Sequence, residues 1–234
     1  MDPTTHTKRP IVTGTTVIGI KYNGGVMLAA DTLASYGTMA RYKDIRRLSK
    51  VGEKCLVGVS GEISDYQQLQ RLLKDSHTED INHDDGYTKS PKEIHNYLRA
   101  MLYQKRNKGN PLWNQILVAG CKGFLGFVDL IGTSYEENFV ATGFGAHLAL
   151  PLIREKWNAD MEEGEARALL EDCLRVCYYR DCKAFYRIQI AKVTDPDEDG
   201  NSVTISDPYD INTEWETANF DLRHPFNGSD GSSW

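Results

Sequence analysis

The stretch T-G-T-T-V-I-G-I-K-Y-N-G-G-V-M-L-A-A-D, residues 13–31, contains two apolar segments joined by a glycine-rich turn. Residues 15–22 and 26–30 are rich in β-branched and aliphatic side chains, and Asn23-Gly24-Gly25 is typical of a turn between strands. The pattern predicts a β-hairpin that ends at Asp31. It also raises a chemical question, because cleavage between Gly14 and Thr15 would free a threonine whose own α-amino group can act as its base.

Outside this hairpin, groups of strands alternate with pairs of helices. The apolar spacing predicts further strands at 46–50, 54–60, 116–120, 124–130, 138–142, 187–193 and 202–206, and helices that begin near 64, 90, 145 and 163. Single strands do not alternate with single helices, as they would in a doubly wound parallel sheet. The order therefore predicts one α+β domain, with two packed antiparallel sheets and helix pairs on their outer faces.

The second helix has the best-defined beginning. Ser90-Pro91-Lys92-Glu93 places a serine at the N-cap, a proline at the first helical position and a glutamate three residues after the cap. We expect this helix to continue to about Asn107 and to follow a polar loop over 80–89.

Composition excludes several classes of function. The 234-residue chain has a formal net charge of −6, which argues against nucleic acid as a partner, and no apolar run is long enough for a membrane span. The five cysteines form no disulfide framework and indicate reduced thiols in an intracellular protein. Cys173 and Cys177 lie four apart on a predicted helix, but no second pair completes a tetrahedral metal site, so we expect neither metal nor cofactor.

Asp31 requires a cation if it is buried, and two arginines are available for it. Arg46 and Arg47 lie in the next predicted strand and are able to reach the carboxylate. A structural ion pair needs no further function. A catalytic relay needs a group that releases its proton, which arginine does not do readily, so this pair argues against catalysis.

Five segments, taken in order, resemble the beta-type subunits of the 20S proteasome. They are G-T-T-V (14–17), G-V-M-L-A-A-D (25–31), V-G-V-S-G-E-I-S-D (57–65), A-T-G-F-G (141–145) and Y-Y-R-D (178–181). The resemblance covers about residues 10–215. It implies a four-layer α-β-β-α sandwich, the fold of the N-terminal nucleophile hydrolases, over residues 15–210. Residues 1–14 then form a leader or extension, and 211–234 a C-terminal arm.

Active members of this family use the freed threonine to cleave peptide bonds. Carried over by position, the resemblance places the nucleophile at Thr15, the acids at Asp31 and Asp181, the essential lysine at Arg47, the oxyanion glycine at Gly61, and two serines at Thr142 and Ala184. A glycine beside the second serine is replaced by Phe185. The arginine, the lost hydroxyl and the added aromatic ring predict that Thr15 is not freed and that the chain is a non-catalytic subunit.

Two other functions remain open from the sequence. One is an active threonine endopeptidase, which Thr15, Asp31 and Asp181 favour. The other is a self-contained amidohydrolase of the same fold. In non-catalytic members a short leader is trimmed by active neighbours, which here predicts a cut near His6-Thr7.

The resemblance also implies where the chain works and what it binds. Its partners would be beta subunits of the same ring, alpha-ring subunits and beta subunits of the opposite ring, in a symmetric particle of about 28 chains. We expect this particle in the cytoplasm and nucleus. The tail after residue 210 would clamp a neighbouring subunit through the aromatic residues Trp215, Phe220 and Phe226. We expect residues 227–234 to be exposed to solvent.

Overall fold

A computed structural model describes residues 9–196 and 202–214. The strands are β1 (Val12–Gly14), β2 (Val17–Tyr22), β3 (Gly25–Asp31), β4 (Ala34–Tyr36), β5 (Met39–Tyr42), β6 (Leu48–Val51), β7 (Cys55–Glu62), β8 (Asn114–Gly120), β9 (Phe124–Val128), β10 (Ser134–Glu136), β11 (Phe139–Ala141), β12 (Arg187–Thr194), β13 (Val203–Ile205) and β14 (Tyr209–Asp210). The helices are α1 (Ile63–Asn82), α2 (Pro91–Asn107), α3 (Gly145–Lys156) and α4 (Glu163–Arg180).

The predicted hairpin is confirmed as β2 and β3. The two strands pair antiparallel from Val17 opposite Ala30 to Tyr22 opposite Gly25. Successive side chains point to opposite faces of a strand, and both faces of this hairpin are buried. Val17 packs between the two sheets, whereas Ile18 packs against the outer helices. The hairpin is therefore a central element of the domain, which explains why both of its strands are mainly apolar.

The described strands form two antiparallel sheets. The order in sheet A is β10-β9-β8-β7-β1-β4-β5, with β6 also paired to β7, and the order in sheet B is β11-β2-β3-β12-β13, with β14 paired to β12. One apolar cluster lies between the sheets. A second joins sheet A to α1 and α2, and a third joins sheet B to α3 and α4. The four-layer α-β-β-α sandwich is confirmed.

The start of α2 is also confirmed. The Ser90 hydroxyl accepts a hydrogen bond from the Glu93 amide at 3.4 Å. The Glu93 carboxylate accepts one in return from the Ser90 amide at 2.7 Å. This reciprocal pair satisfies two amides that the helix itself leaves free.

Strand β1 is an addition to the sequence-based prediction, which treated residues 1–14 as an extension of the domain. Val12 and Thr13 pair with β4 on one side, and Thr13 and Gly14 pair with β7 on the other. A three-residue strand has too few side chains for an alternation pattern. Its place is set by tertiary pairing, and residues 12–14 are part of sheet A.

The C-terminal boundary also differs from the one drawn at residue 210. Ile211 is buried in the cluster beneath α3 and α4, and its amide donates to the Tyr186 carbonyl at 2.9 Å. The core thus includes a residue assigned to the arm. The expected cut near His6-Thr7 and the aromatic residues Trp215, Phe220 and Phe226 lie outside the described residues.

Smaller differences concern element ends. Arg46 and Arg47 precede β6 instead of lying within it, and α1 runs to Asn82, three residues into the predicted loop. Among the described helices, none combines the length and the apolar character that a bilayer crossing requires. The described residues also bring together no group of three or more His, Cys, Asp or Glu side chains suited to a metal ion.

Candidate active site

Thr15 lies where the chain passes from one sheet to the other. Gly14 is the last residue of β1 in sheet A, and Val17 is the first residue of β2 in sheet B. The Thr15 hydroxyl is buried and has no hydrogen-bond partner among the described residues. A threonine nucleophile needs a base within hydrogen-bond reach, and no described side chain provides one to this hydroxyl.

Arg47 occupies the centre of the site. Its side chain is fully buried and forms an ion pair with the Asp31 carboxylate. Of the two arginines considered for Asp31, Arg47 is the one that pairs with it. Arg46 lies on the surface, where its guanidinium is 3.8 Å from the Asp207 carboxylate. Arg47 directly precedes β6, and both β1 and β6 pair with β7.

Every donor of the Arg47 guanidinium is engaged. Nε donates to the Asp31 carbonyl at 3.1 Å, and one terminal nitrogen donates to the carbonyls of Thr15 and Val59 at 3.3 and 3.4 Å. The other donates to the Thr16 carbonyl at 2.9 Å and to the Asp31 carboxylate. A guanidinium has five N–H groups and stays protonated in proteins. Arg47 therefore ties β3 and β7 to the Thr15-Thr16 link, and an arginine does not readily release a proton.

The packing around Arg47 explains the glycine before Thr15. A Cβ atom added at Gly14 would lie 2.5 Å from the Arg47 Cδ. Such a contact is too short for a real side chain, so the arginine and any larger residue at 14 compete for one space. Gly14 thus has a structural reason to be small that is independent of cleavage.

Asp31 is an unusual carboxyl group because it is buried. Burial raises the pKa of Asp31 to about 6, Arg47 acts in the opposite direction, and the nearby Asp181 carboxylate adds to the increase. Its second oxygen, Oδ2, has no hydrogen-bond partner among the described residues. The structure therefore brings Thr15, Asp31, Arg47 and Asp181 into one neighbourhood, as the resemblance implied.

Asp181 directly follows α4 as its C-cap residue and orders the turn after it. One carboxylate oxygen accepts from the Lys183 amide at 2.9 Å, and the Asp181 carbonyl accepts from the Ala184 amide at 3.1 Å. The other carboxylate oxygen is buried without a partner among the described residues. Ala184 packs against the cluster under α3 and α4 and offers no hydroxyl. Phe185 packs against Tyr186 in a tilted arrangement, with 4.4 Å between ring centroids, and lies beneath the Lys43 ammonium group.

Thr142 and Gly61 have structural partners. The Thr142 hydroxyl accepts from the Val17 amide at 2.9 Å and donates to the Val17 carbonyl at 3.3 Å, so it fixes the start of β2. Gly61 has a φ of +99°, and a Cβ atom there would lie 2.0 Å from the Trp113 carbonyl oxygen. Only glycine suits this backbone. A shallow pocket of about 320 Å³ beside Thr15 is lined in part by Gly61, Phe144 and Lys183.

Glu62 is a residue that the sequence reasoning missed. It ends β7 directly after Gly61 and is buried, and its carboxylate accepts hydrogen bonds from the amides of Ile11 and Val12. The signal in the sequence was an acid at the end of the apolar run C-L-V-G-V-S-G-E (55–62). A buried carboxylate needs donors, but main-chain donors leave no trace in a sequence.

Comparison with known proteins gives one consistent result. A family model described as proteasome subunit matches residues 11–193. A protein named proteasome subunit beta type-4 from Arabidopsis thaliana is 46% identical over 230 residues, which cover 97% of this chain and 91% of that protein. Its namesake from Xenopus laevis is 42% identical over 221 residues, 92% and 89% of the two chains. Proteasome subunit beta type-7 from Saccharomyces cerevisiae is 42% identical over 202 residues, 81% and 76% of the two chains.

Proposed function

The chain belongs to the proteasome subunit family, and we propose that it is a non-catalytic, structural beta subunit of the 20S core particle. Membership in this family means assembly into a multi-subunit particle that degrades proteins. The chain's similarity to proteins named beta type-4 and beta type-7 extends along most of its length, which supports the same place in the particle.

The main support for a non-catalytic role is the hydrogen bonding of the Arg47 guanidinium. Arg47 stands where the resemblance places the lysine of active members, and all of its N–H groups are bound to acceptors within the fold. A lysine in a buried site shifts its pKa readily and can take part in proton transfer, whereas an arginine does not. The residue that would assist Thr15 is instead a structural cross-link.

Three further features agree with a structural role. The Thr142 hydroxyl is committed to Val17, the position of Ala184 lacks a hydroxyl, and residues 12–14 are paired into sheet A. The alternative, an active threonine endopeptidase, requires a free amine on Thr15 and a proton path from it. Of the catalytic set, Thr15, Asp31, Asp181 and Gly61 are present, whereas the lysine and the two serines are replaced.

The finer arrangement is part of the same proposal. The chain contacts beta subunits of its own ring, alpha-ring subunits and beta subunits of the opposite ring. The particle works in the cytoplasm and nucleus, in keeping with five cysteines that are all free thiols. Cross-linking mass spectrometry of the purified particle identifies these neighbours, and cell fractionation identifies the compartment.

The decisive experiment uses the assembled particle and a threonine-directed electrophile. We expect intact mass measurement to find this chain with residues before Thr15 still attached and without the label, while active subunits of the same particle carry it and serve as the internal control. A chain that begins at Thr15 and carries the label would overturn the proposal. Recovery of the chain only as a free monomer with amidase activity would support the amidohydrolase instead.

A further inference from the structure

Glu62 is a buried carboxylate that has no cationic partner among the described residues. Glu62 is only 4% exposed. It takes part in none of the ion pairs found among residues 9–196 and 202–214. Burial of a charged group is unfavourable unless strong donors replace water. The identity of those donors therefore indicates what Glu62 is for.

Most of these donors come from the N-terminal segment. Glu62 Oε2 accepts from the Ile11 amide at 2.5 Å and from the Val12 amide at 3.2 Å, and Oε1 accepts from the Ser64 hydroxyl at 3.1 Å. Successive main-chain N–H groups that converge on one anion form a binding concavity. Hydrogen bonds to an ionised acceptor are also stronger than neutral ones.

The neighbours of these two amides show where the contact begins. Pro10 has no backbone N–H and therefore cannot donate to Glu62. Ile11 carries the next amide along the chain. On the opposite edge, the Ile11 carbonyl accepts from the Gly37 amide at 3.3 Å. The Ile11 side chain is 58% exposed. The segment is thus held by its backbone and not by this side chain.

We propose that the Glu62 carboxylate is a binding site for the consecutive main-chain amides of Ile11 and Val12, and that it holds β1 in sheet A. Its ligand is a pair of adjacent peptide N–H groups at the start of an extended segment. The site is a property of the fold and does not depend on the proposed role in the proteasome.

The test measures hydrogen exchange of the full-length chain by mass spectrometry. E62Q keeps the size of the side chain but removes its charge, and we expect peptides that cover 11–14 to exchange at least tenfold faster, on the order of the loss of a charge-assisted hydrogen bond. Exchange in β12 serves as the internal reference and should not change. The matched control is E53Q, because Glu53 is an exposed glutamate in the turn between β6 and β7.

A second pair of variants tests the ligand side. I11P removes the Ile11 amide proton, whereas I11A keeps it and alters only an exposed side chain. We expect I11P, but not I11A, to reproduce the effect of E62Q, and the double variant I11P/E62Q to add little to either change. Exchange of 11–14 within twofold of the wild type in both E62Q and I11P, with an intact reference strand, would overturn the proposal. Additive effects of the two changes would also contradict it.

Discussion

At the scale of single residues, the site depends on how Arg47 and Asp31 are buried together. The desolvation of two charges is costly, and it is offset here because the guanidinium meets five acceptors in fixed positions. The same contacts that stabilise the chain crossing between the sheets leave Thr15 without a proton acceptor. Stability and loss of catalysis therefore have one cause at this position.

Removal of the guanidinium should be strongly destabilising. We expect R47M to lower the free energy of unfolding by about 3–5 kcal/mol, because the buried Asp31 carboxylate would lose its cation. Adding D31N should recover part of this loss by removing the buried charge. Urea unfolding of the purified chain measures both effects. R46A is the control and should stay within about 0.5 kcal/mol, since Arg46 is exposed. An R47M chain as stable as R46A would contradict the assigned role.

The buried thiols of α4 predict a dependence on alkaline pH. Burial raises the pKa of both Cys173 and Cys177 from an ordinary 9.0 to about 12. Between these values the folded chain holds protons that the unfolded chain has lost, so stability falls as pH rises from about 9 towards 12. At pH 10 we expect a loss of roughly 1 kcal/mol per thiol.

Unfolding midpoints at pH 8 and pH 10 test this expectation. The double variant C173A/C177A starts from a lower stability, but its further decrease between the two pH values should be smaller than that of the wild type. Equal decreases in the two proteins would show that other groups control the alkaline response. Cys182 is exposed and offers a matched control, since C182A should leave the decrease unchanged.

At the scale of elements, local patterns were predicted well and tertiary pairings were not. The β2–β3 hairpin has a strong turn and two apolar strands, and α2 has a complete capping box, so both are determined by adjacent residues. Strand β1 is different. The sequence V-T-G has no periodicity, and its two partners are distant segments that become neighbours only in the folded sheet.

The candidate site shows the same division. An acid at the end of β3 and an arginine near β6 suggested an ion pair from side-chain chemistry alone, and Arg47 fills that role. The placement of the other positions came from the family resemblance, because no local rule connects Thr15 with Asp181. Glu62 escaped notice because its ligands are backbone amides, which every residue except proline carries.

At the scale of the whole molecule, the described chain ends beside one of the two outer layers, the one formed by α3 and α4. The described chain finishes against α4, where the Arg175 side chain donates to the Asn212 carbonyl at 2.8 Å and the Glu214 amide donates to the Tyr179 hydroxyl at 2.7 Å. The last described residues are therefore held on the α3–α4 side of the sandwich.

A tail that clamps a neighbour should be needed for assembly but not for folding. We expect deletion of 215–234 to preserve the domain, because Ile211 and β14 remain, and to shift the assembled material from complete particles to incomplete ones on native gels. Trp215, Phe220 and Phe226 are the proposed anchors, since aromatic residues often dominate interfaces.

Deletion of 227–234 is the matched control for this experiment. It removes a polar end but keeps all three anchors, so assembly should match that of the full-length chain. Unchanged assembly after the longer deletion would show that the contacts of the folded domain are sufficient for its place in the particle. Impaired assembly after both deletions would instead place an essential contact beyond Phe226, which the composition of 227–234 does not predict. Only a loss confined to the longer deletion assigns the clamp to residues 215–226.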